Sequence, residues 1–475
     1  MDFTKNNEDI NDIYDVSIVR VETENFKVVA FRSIRDSFLN NIIFSLRKLI
    51  TAINLILIGH IFYENTIHYD LFMGFQIGVF VSEFLGGCFI LGLFKNLFEE
   101  KEEDEEIYDL YIRMKSVLVI LIPSITIPIS ILSYFIIGFI LNNRMGVSDP
   151  SINRQVYFKF LLYTPIIYLF EGLILLDLHY FYCRKKTNEV FFYSFFYAVS
   201  HIILSWIFLY ELESGLIGLT ISYLLNSFIF SFFINIYFKK SLDNHPKNFF
   251  FFIPNSEKYD QKTLKLLGAK SILSLNNLGD IFMIHFIFIL TLFTDRLQLI
   301  VNIIYINFYE LINAFNRGFY ANLKKYIITN VESSQSRQRF VGCFGLFYMI
   351  ILLAIFLILI IFKDILLDIY LQEGGGNILI RISQNLRIIY PICLLLSGIR
   401  ILLNGMVRGM NIAFSRIKKI IYISICMILS ILLCFYFGFG IIGLWISILI
   451  LNIFYSLESA HKAIIYLPIF FHNYI

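Results

Sequence analysis

The sequence predicts an all-α polytopic membrane protein of twelve transmembrane helices, arranged as two six-helix lobes related by a pseudo-two-fold axis along the membrane normal. Three observations predict it: a composition too apolar for water, twelve apolar stretches of spanning length, and a repeat whose copies lie about half a chain apart. Of the 475 residues, 58% are hydrophobic and only 16% are charged, where soluble domains carry about a quarter charged residues. Mean hydropathy is +0.72. One aqueous core cannot hide that much Phe, Ile and Leu, because the buried fraction rises only slowly with chain length. The net charge of +3 is spread over many loops, which excludes the clustered basic footprint of a nucleic-acid binder. The six cysteines stand almost entirely in apolar stretches without CxxC or metal spacing and read as small core hydrophobes. The chain does not open on a charged segment, short apolar run and cleavage site, so no cleaved signal peptide is expected.

A spanning helix needs about 20 mainly apolar residues, because lipid offers its backbone groups no partners. A polar cytoplasmic tail, 1–41, comes first, mixing charges with Val and Phe as a fraying or surface-helical segment does. The first lobe, 42–238, holds spans at 43–63, 71–94, 116–141, 156–180, 188–210 and 214–238. A cytoplasmic linker, 239–265, is polar and rich in Lys. The second lobe, 266–467, holds spans at 266–292, 298–322, 340–362, 385–407, 418–438 and 441–466, and a short tail, 468–475, follows. Lys and Arg concentrate in alternate loops, which by the positive-inside rule places both termini in the cytoplasm. Once the basic residues near span ends are assigned to the adjoining loops, Lys270 and Arg400 remain inside expected spans.

The repeat supports the division into lobes. Gly215, Ile217, Gly218, Leu219, Ile221 and Ser222 recur as Gly440, Ile442, Gly443, Leu444, Ile446 and Ser447, and Pro165, Ile166 and Gly172 recur as Pro391, Ile392 and Gly398. Gly92, Asn96 and Leu97 recur as Gly318, Asn322 and Leu323 in nearly the same register. Six spans return each lobe to its starting side, so the lobes share one orientation and their axis runs along the membrane normal. The interface between two such bundles is where alternating access usually places a central site.

A carboxylate at bilayer depth is costly unless paired, hydrated or protonated, so each one requires a reason. Glu83 and Glu310 each lie about twelve residues into a span, near the midplane at ~1.5 Å per residue. Asp280 sits mid-span in the seventh helix, and Glu171 and Asp177 lie in the fourth, Asp177 close enough to the inner interface to be hydrated. A proton and an organic cation compete for one such acid, which is the chemistry of exchange. The structural alternative is that these acids pair with Lys270 or Arg400 and tie helices together. His60, His179, His201 and His285 lack zinc spacing and read as hydrogen-bonded packing residues. The 52 Phe and 29 Tyr outnumber what any pocket holds, so most face lipid. The acidic run Glu99–Glu106 reads as a solvated loop. Gly374–Gly376 lacks the strand and helix of a phosphate cradle.

Gly398, Asn404, Gly405, Arg408 and Gly409, followed by Gly438, Gly440, Gly443, Leu444 and Trp445, resemble the tenth to twelfth helices of the multidrug and toxic compound extrusion (MATE) family, where the pattern is G-[VM]-[LV]-R-G and then G-x-G-x-x-G-L-W. Leu57, Ile58, Gly59 and His60 are similar to the V-G-H that closes the first helix of eukaryotic members. Ala314 and Arg317 partly fit the family's A-x-x-R-V-x-N. The chain departs from the family where Gly87, Cys88 and Gly92 replace its G-Q-A-x-G-A stretch. In the seventh span Asp280 is the nearest counterpart of the family's acid.

The resemblance implies a secondary antiporter, not an enzyme, that exports organic cations or related metabolites in exchange for protons or sodium. It implies no cofactor beyond that ion, a small-molecule substrate, the bilayer as the other partner, and a monomer. Glu83 falls on the Glu of the family's E-T-x-x-G-Q, and with Asp280, Glu310 and Glu171 it makes the expected proton and substrate set. Gly59, Gly440 and Gly443 are motif glycines, and Gly405, Arg408 and Gly409 a structural hinge. The wider superfamily includes flippases of lipid-linked oligosaccharides, which favour a cavity lined with Arg and Lys to hold pyrophosphate. A lipid-modifying enzyme would need a clustered His, Asp or Ser constellation, which the sequence does not offer.

Overall fold

The computed structural model describes residues 26–61, 104–144, 165–167, 169–178, 180–181, 187–241, 282–328, 334–362, 365–371, 376–410, 412 and 416–472. The expected second span, the first part of the seventh, and with them Glu83, Lys270 and Asp280, lie outside the described residues.

The elements in chain order are α1 (Phe26–Ile61), α2 (Asp104–Arg144), α3 (169–178), α4 (Thr187–Trp206), α5 (Gly215–Ser241), α6 (Phe282–Thr291) and α7 (Arg296–Ile328). They continue with α8 (Ser334–Ile361), α9 (Ile365–Tyr370), α10 (Gly376–Gln384), α11 (Leu386–Gly409), α12 (Arg416–Ile431) and α13 (Ile441–His472). All regular structure among the described residues is helical, and eight of these helices are long and apolar enough to cross a membrane. A helix pairs every interior backbone group within itself, which is what hydrocarbon demands. Pro123 and Pro128 inside α2 and Pro391 inside α11 each remove one such bond.

α1 begins well before the expected first span. Residues 26–41 form about four extra turns, and Ser37, Asn40 and Asn41 are buried, so this stretch packs rather than frays. Charges run along α1 as far as Lys48, and its long apolar stretch is confined to Lys48–His60.

α7 sits at the centre. Every residue from Leu299 to Asn307 is buried, which requires neighbours on all sides; α1, α11, α10 and α9 all pack against α7. The main core joins Leu55 and Ile58 of α1 to Ile300, Ile304 and Tyr305 of α7, Tyr390 of α11 and Trp445 of α13. The outer faces are apolar as well. Phe192, Phe195 and Phe196 on α4, Phe228, Phe232 and Phe233 on α5, and Leu346, Ile350, Leu353 and Leu357 on α8 are exposed at helical spacing. Stripes of that size are tolerated when lipid covers them. Cys393, Cys426 and Cys434 are buried core residues as expected, while Cys343 is exposed on α8.

The repeat in the sequence is a repeat in the backbone. α4 ends in a π-helical turn, Ile207–Glu211, and α12 ends in another, Leu432–Tyr436. In the first, Leu212 N–H donates to Ile207 O at 3.0 Å and Ser214 N–H to Phe208 O at 3.0 Å; in the second, Phe437 N–H donates to Leu432 O at 2.9 Å and Phe439 N–H to Leu433 O at 3.0 Å. Left-handed residues fall in register too, Glu213 and Gly215 at φ 45° and 56°, Gly438 and Gly440 at 71° and 56°. Both tight turns then seat a glycine against the preceding helix: Gly218 faces Phe208 O and Gly443 faces Leu433 O.

Candidate functional site

Among the described residues, the seam between the halves of the chain is formed mainly by the antiparallel pairing of α1 with α7. At one end Gly318 lies so close to Asn41 that any Cβ would collide with it. At the other end the α9 backbone covers the end of α1: Gly59 abuts the Tyr370 carbonyl, and His60 Nε2 hydrogen-bonds Ile369 O at 2.9 Å. Burial pushes the Tyr370 phenol up, so it stays neutral there. Between the ends Lys48 Nζ donates to Glu310 Oε2 at 2.7 Å. Hence Glu310 does pair with a lysine, Lys48 of the first helix, while Lys270 lies outside the described residues. The expected first span begins only five residues before Lys48, but α1 already starts at Phe26, so Lys48 stands well inside a packed helix rather than at its start.

The interior of the first half is polar. Glu171 is buried in α3 and accepts from Tyr197 OH at 3.3 Å, and that hydroxyl also meets Ser227 Oγ at 3.0 Å. Asn226 Nδ2 donates to Tyr197 O at 3.0 Å, and Ser200 Oγ donates to Asn226 Oδ1 at 2.6 Å. A turn away, Asn54 Nδ2 donates to His201 Nε2 at 2.9 Å and to Tyr223 OH at 3.0 Å. Ser205 Oγ lies 3.1 Å from the same ring nitrogen and 3.2 Å from Ser222 Oγ. With Nε2 accepting, the ring proton sits on Nδ1. His201 Nδ1 and Asn54 Oδ1 are buried and find no hydrogen-bond partner among the described residues, which marks a place for water or a polar guest. His201 is thus hydrogen-bonded, as expected, but it is part of a cluster. The sequence signal for that cluster was polar pairs four apart in apolar spans, His201 with Ser205 and Ser222 with Asn226.

Asp177 corrects its expectation. It was placed near the inner interface with access to water, yet it is fully buried. Tyr111 OH donates to Asp177 Oδ1 at 2.6 Å, and Lys115 Nζ donates to Asp177 Oδ1 at 3.1 Å and to Tyr111 OH at 3.0 Å. Lys115, which the sequence placed in a loop, is buried because α2 is already helical from Asp104 and carries it about three turns into the bundle.

The second half is built differently. Trp445 is fully buried against Tyr390, Tyr309 and Tyr305, with ring centroids 4.9, 5.6 and 6.3 Å away. Its indole N–H donates to Asn302 Oδ1 at 2.9 Å, and Tyr390 OH donates to Tyr305 O at 3.0 Å. Arg400, one of the two cations expected within spans, is buried with its guanidinium 5.4 Å from the Tyr455 ring; Lys419 reaches the same ring at 5.9 Å. Gly405 lies inside α11, facing Tyr320 and Leu323 of α7 with room for ordinary contact, and Gly409 is the buried last residue of α11. Arg408 occupies the last turn of α11, where a cation complements the helix dipole. Gly440 turns beneath Gln298 of α7, whose Oε1 accepts from Ile441 N at 3.2 Å.

No family model and no curated protein matches the chain in sequence. Solved structures do match in three dimensions. The eukaryotic MATE transporter AtDTX14 superimposes with a TM-score of 0.68 at 12% identity, covering 94% of this chain and 100% of that one. This chain has the MATE fold. An inward-facing multidrug resistance MATE family transporter of the MOP superfamily gives a TM-score of 0.64 at 14% identity over 93% of this chain and 98% of its own. A MOP superfamily transporter from Pyrococcus furiosus gives 0.56 at 14% identity over 92% and 96%. The MATE fold is the twelve-helix, two-lobe membrane arrangement that the apolar spans and the repeat predict. Within it, α1 and α7 carry the Lys48–Glu310 pair from one half of the chain to the other.

Proposed function

We propose that this protein is a secondary active antiporter that exports organic cations or related metabolites in exchange for protons or sodium, by alternating opening of the seam between its lobes. The observation that carries the reading is Glu310, a carboxylate held between the two halves in a part-buried ion pair. An acid at that position can exchange one cationic partner for another, and exchange is what antiport requires. The seam around it is polar: Asn41 and Asn316 are buried, and their side chains find no hydrogen-bond partner among the described residues. Polar walls re-wet at low cost when they part, whereas apolar walls would not. Structures of this fold in inward-facing and outward-facing conformations support the two-state motion. Glu171, at the edge of the first-half polar cluster, is a second acid in this scheme, and Glu83 and Asp280 complete the set.

The test is flux in proteoliposomes. Efflux of a fluorescent organic cation is measured under imposed proton and sodium gradients separately, for the wild type and for Glu83→Gln, Glu171→Gln, Asp280→Asn and Glu310→Gln. At least one variant should lose gradient-driven flux by tenfold or more; undiminished exchange in all four ends the proposal. Single-cysteine labelling at both termini from outside sealed vesicles checks the cytoplasmic placement.

A second reading keeps the fold and changes the cargo to a lipid-linked phosphate or pyrophosphate. Arg400 and Lys419 gathered on Tyr455 favour it. The Pyrococcus furiosus transporter is described as having a binding pocket of reverse polarity that suggests a different function. Scrambling of a fluorescent phospholipid by the wild type, lost in Arg400→Met with cation flux intact, would select this reading over the first.

A further inference from the structure

Among the described residues, several places bury charged or polar groups together, including the Lys115–Asp177–Tyr111 triad, the Asn54–His201 cluster, the Arg400–Tyr455–Lys419 group, and the Lys48–Glu310 pair. The first joins elements of one half. The last joins the two halves, and it is the one that motion must break.

We infer that Lys48 is a tethered competitor of the cationic cargo: it occupies Glu310 while the site is empty, and cargo binds there by displacing it. This rests on the antiporter reading and names what regulates its site. The geometry carries it in three steps. Lys48 Nζ and Glu310 Oε2 are 2.7 Å apart, and both side chains are largely but not wholly shielded, at 19% and 11% exposure, so a second cation has a path to the carboxylate. The lysine lies on α1 and the acid on α7, and these helices pack along the seam, with Asn41 of α1 against Gly318 of α7 on one side of the pair, while on the other side α9 closes over α1 with Tyr370 against Gly59. An ammonium on a four-carbon stem can swing toward water while its backbone stays in place, so displacement needs no unfolding. A carboxylate kept neutral by a resident cation does not bind stray ions, and a cargo must outbid that cation. Apparent affinity is then lowered by the fraction of sites that the lysine leaves open.

The test is equilibrium binding of tetraphenylphosphonium to the full-length protein in lipid nanodiscs, at one pH. Lys48→Met should bind the probe at least tenfold more tightly than the wild type, a difference of about 1.4 kcal/mol. Lys48→Arg should stay near the wild type, because it keeps the resident charge. Glu310→Gln and the double variant Lys48→Met/Glu310→Gln should show none of the gain. Should Lys48→Met not fold, Lys48→Gln carries the same comparison. A Lys48 variant that folds, elutes as one species and binds no tighter than the wild type overturns the inference. The same holds if the gain persists in the double variant. Failure of the antiporter reading looks different: gradient-driven flux is then absent from the wild type, while the gain in Lys48→Met and its loss in the double variant remain.

Discussion

The two hairpins that close the two halves share a backbone and differ in what they bury. Ile207–Ser222 and Leu432–Ser447 have the same π turn, the same pair of left-handed residues and the same glycine seated against the preceding helix. Around the first, His201, Tyr223 and Thr220 face a polar interior; at the corresponding places of the second stand Cys426, Ile448 and Trp445, and the interior is apolar and aromatic. Duplicated geometry has therefore been kept while the chemistry diverged. Beside the first hairpin, Asn54 Oδ1 and His201 Nδ1 keep unused hydrogen-bonding capacity among the described residues, whereas beside the second the space is filled by Trp445 and its tyrosines. A frame set by backbone bonds and glycine contacts tolerates such divergence, because neither depends on the side chains that point inward.

Four single substitutions sharpen that contrast. The largest effect is expected in the polar half. Asp177→Ala takes from Lys115 the carboxylate it donates to in a fully buried setting, and should cost about 3–5 kcal/mol, read as thermal unfolding of the purified protein. Replacing Asp177 and Lys115 together by Leu and Met should recover most of it; no recovery would mean that the triad is held by more than charge. Next come the seated glycines. Gly218→Ala and Gly443→Ala each push a methyl to 2.9 Å from a carbonyl oxygen of the preceding helix, so both should cost ~1–3 kcal/mol in the same assay. A loss in one half alone would break the equivalence of the hairpins. The smallest effect has the opposite sign. Glu213 holds φ 45° where the second half places Gly438 at 71°, and Glu213→Gly should relieve about 1 kcal/mol of left-handed strain.

The fold was legible to a large degree because its signals are local. Spanning length, the alternation of Lys and Arg, and glycine spacing are all properties of short segments, and the recurrence of Gly215 and Gly218 as Gly440 and Gly443 already announced the matching turns. The site was legible only in part. Glu310 and Glu171 could be singled out as acids inside spans, since a charge there always needs a reason. Their partners could not, because Lys48 is 262 residues from Glu310 and Tyr197 is 26 from Glu171. Lys48 and Lys115 were hidden for a further reason: each lies at the edge of an apolar stretch, where hydropathy expects water although the helix continues through it.

By itself the sequence determined the solvent of this protein and its twofold plan, because hydropathy and repeated glycines act through segment length and backbone freedom, which need no distant partner. Only the tertiary structure decided which charges meet. Burial turns each of those meetings into a question of who sits within about 3 Å, and the answer at Glu310 comes from the packing of α1 on α7 rather than from any stretch of chain read alone.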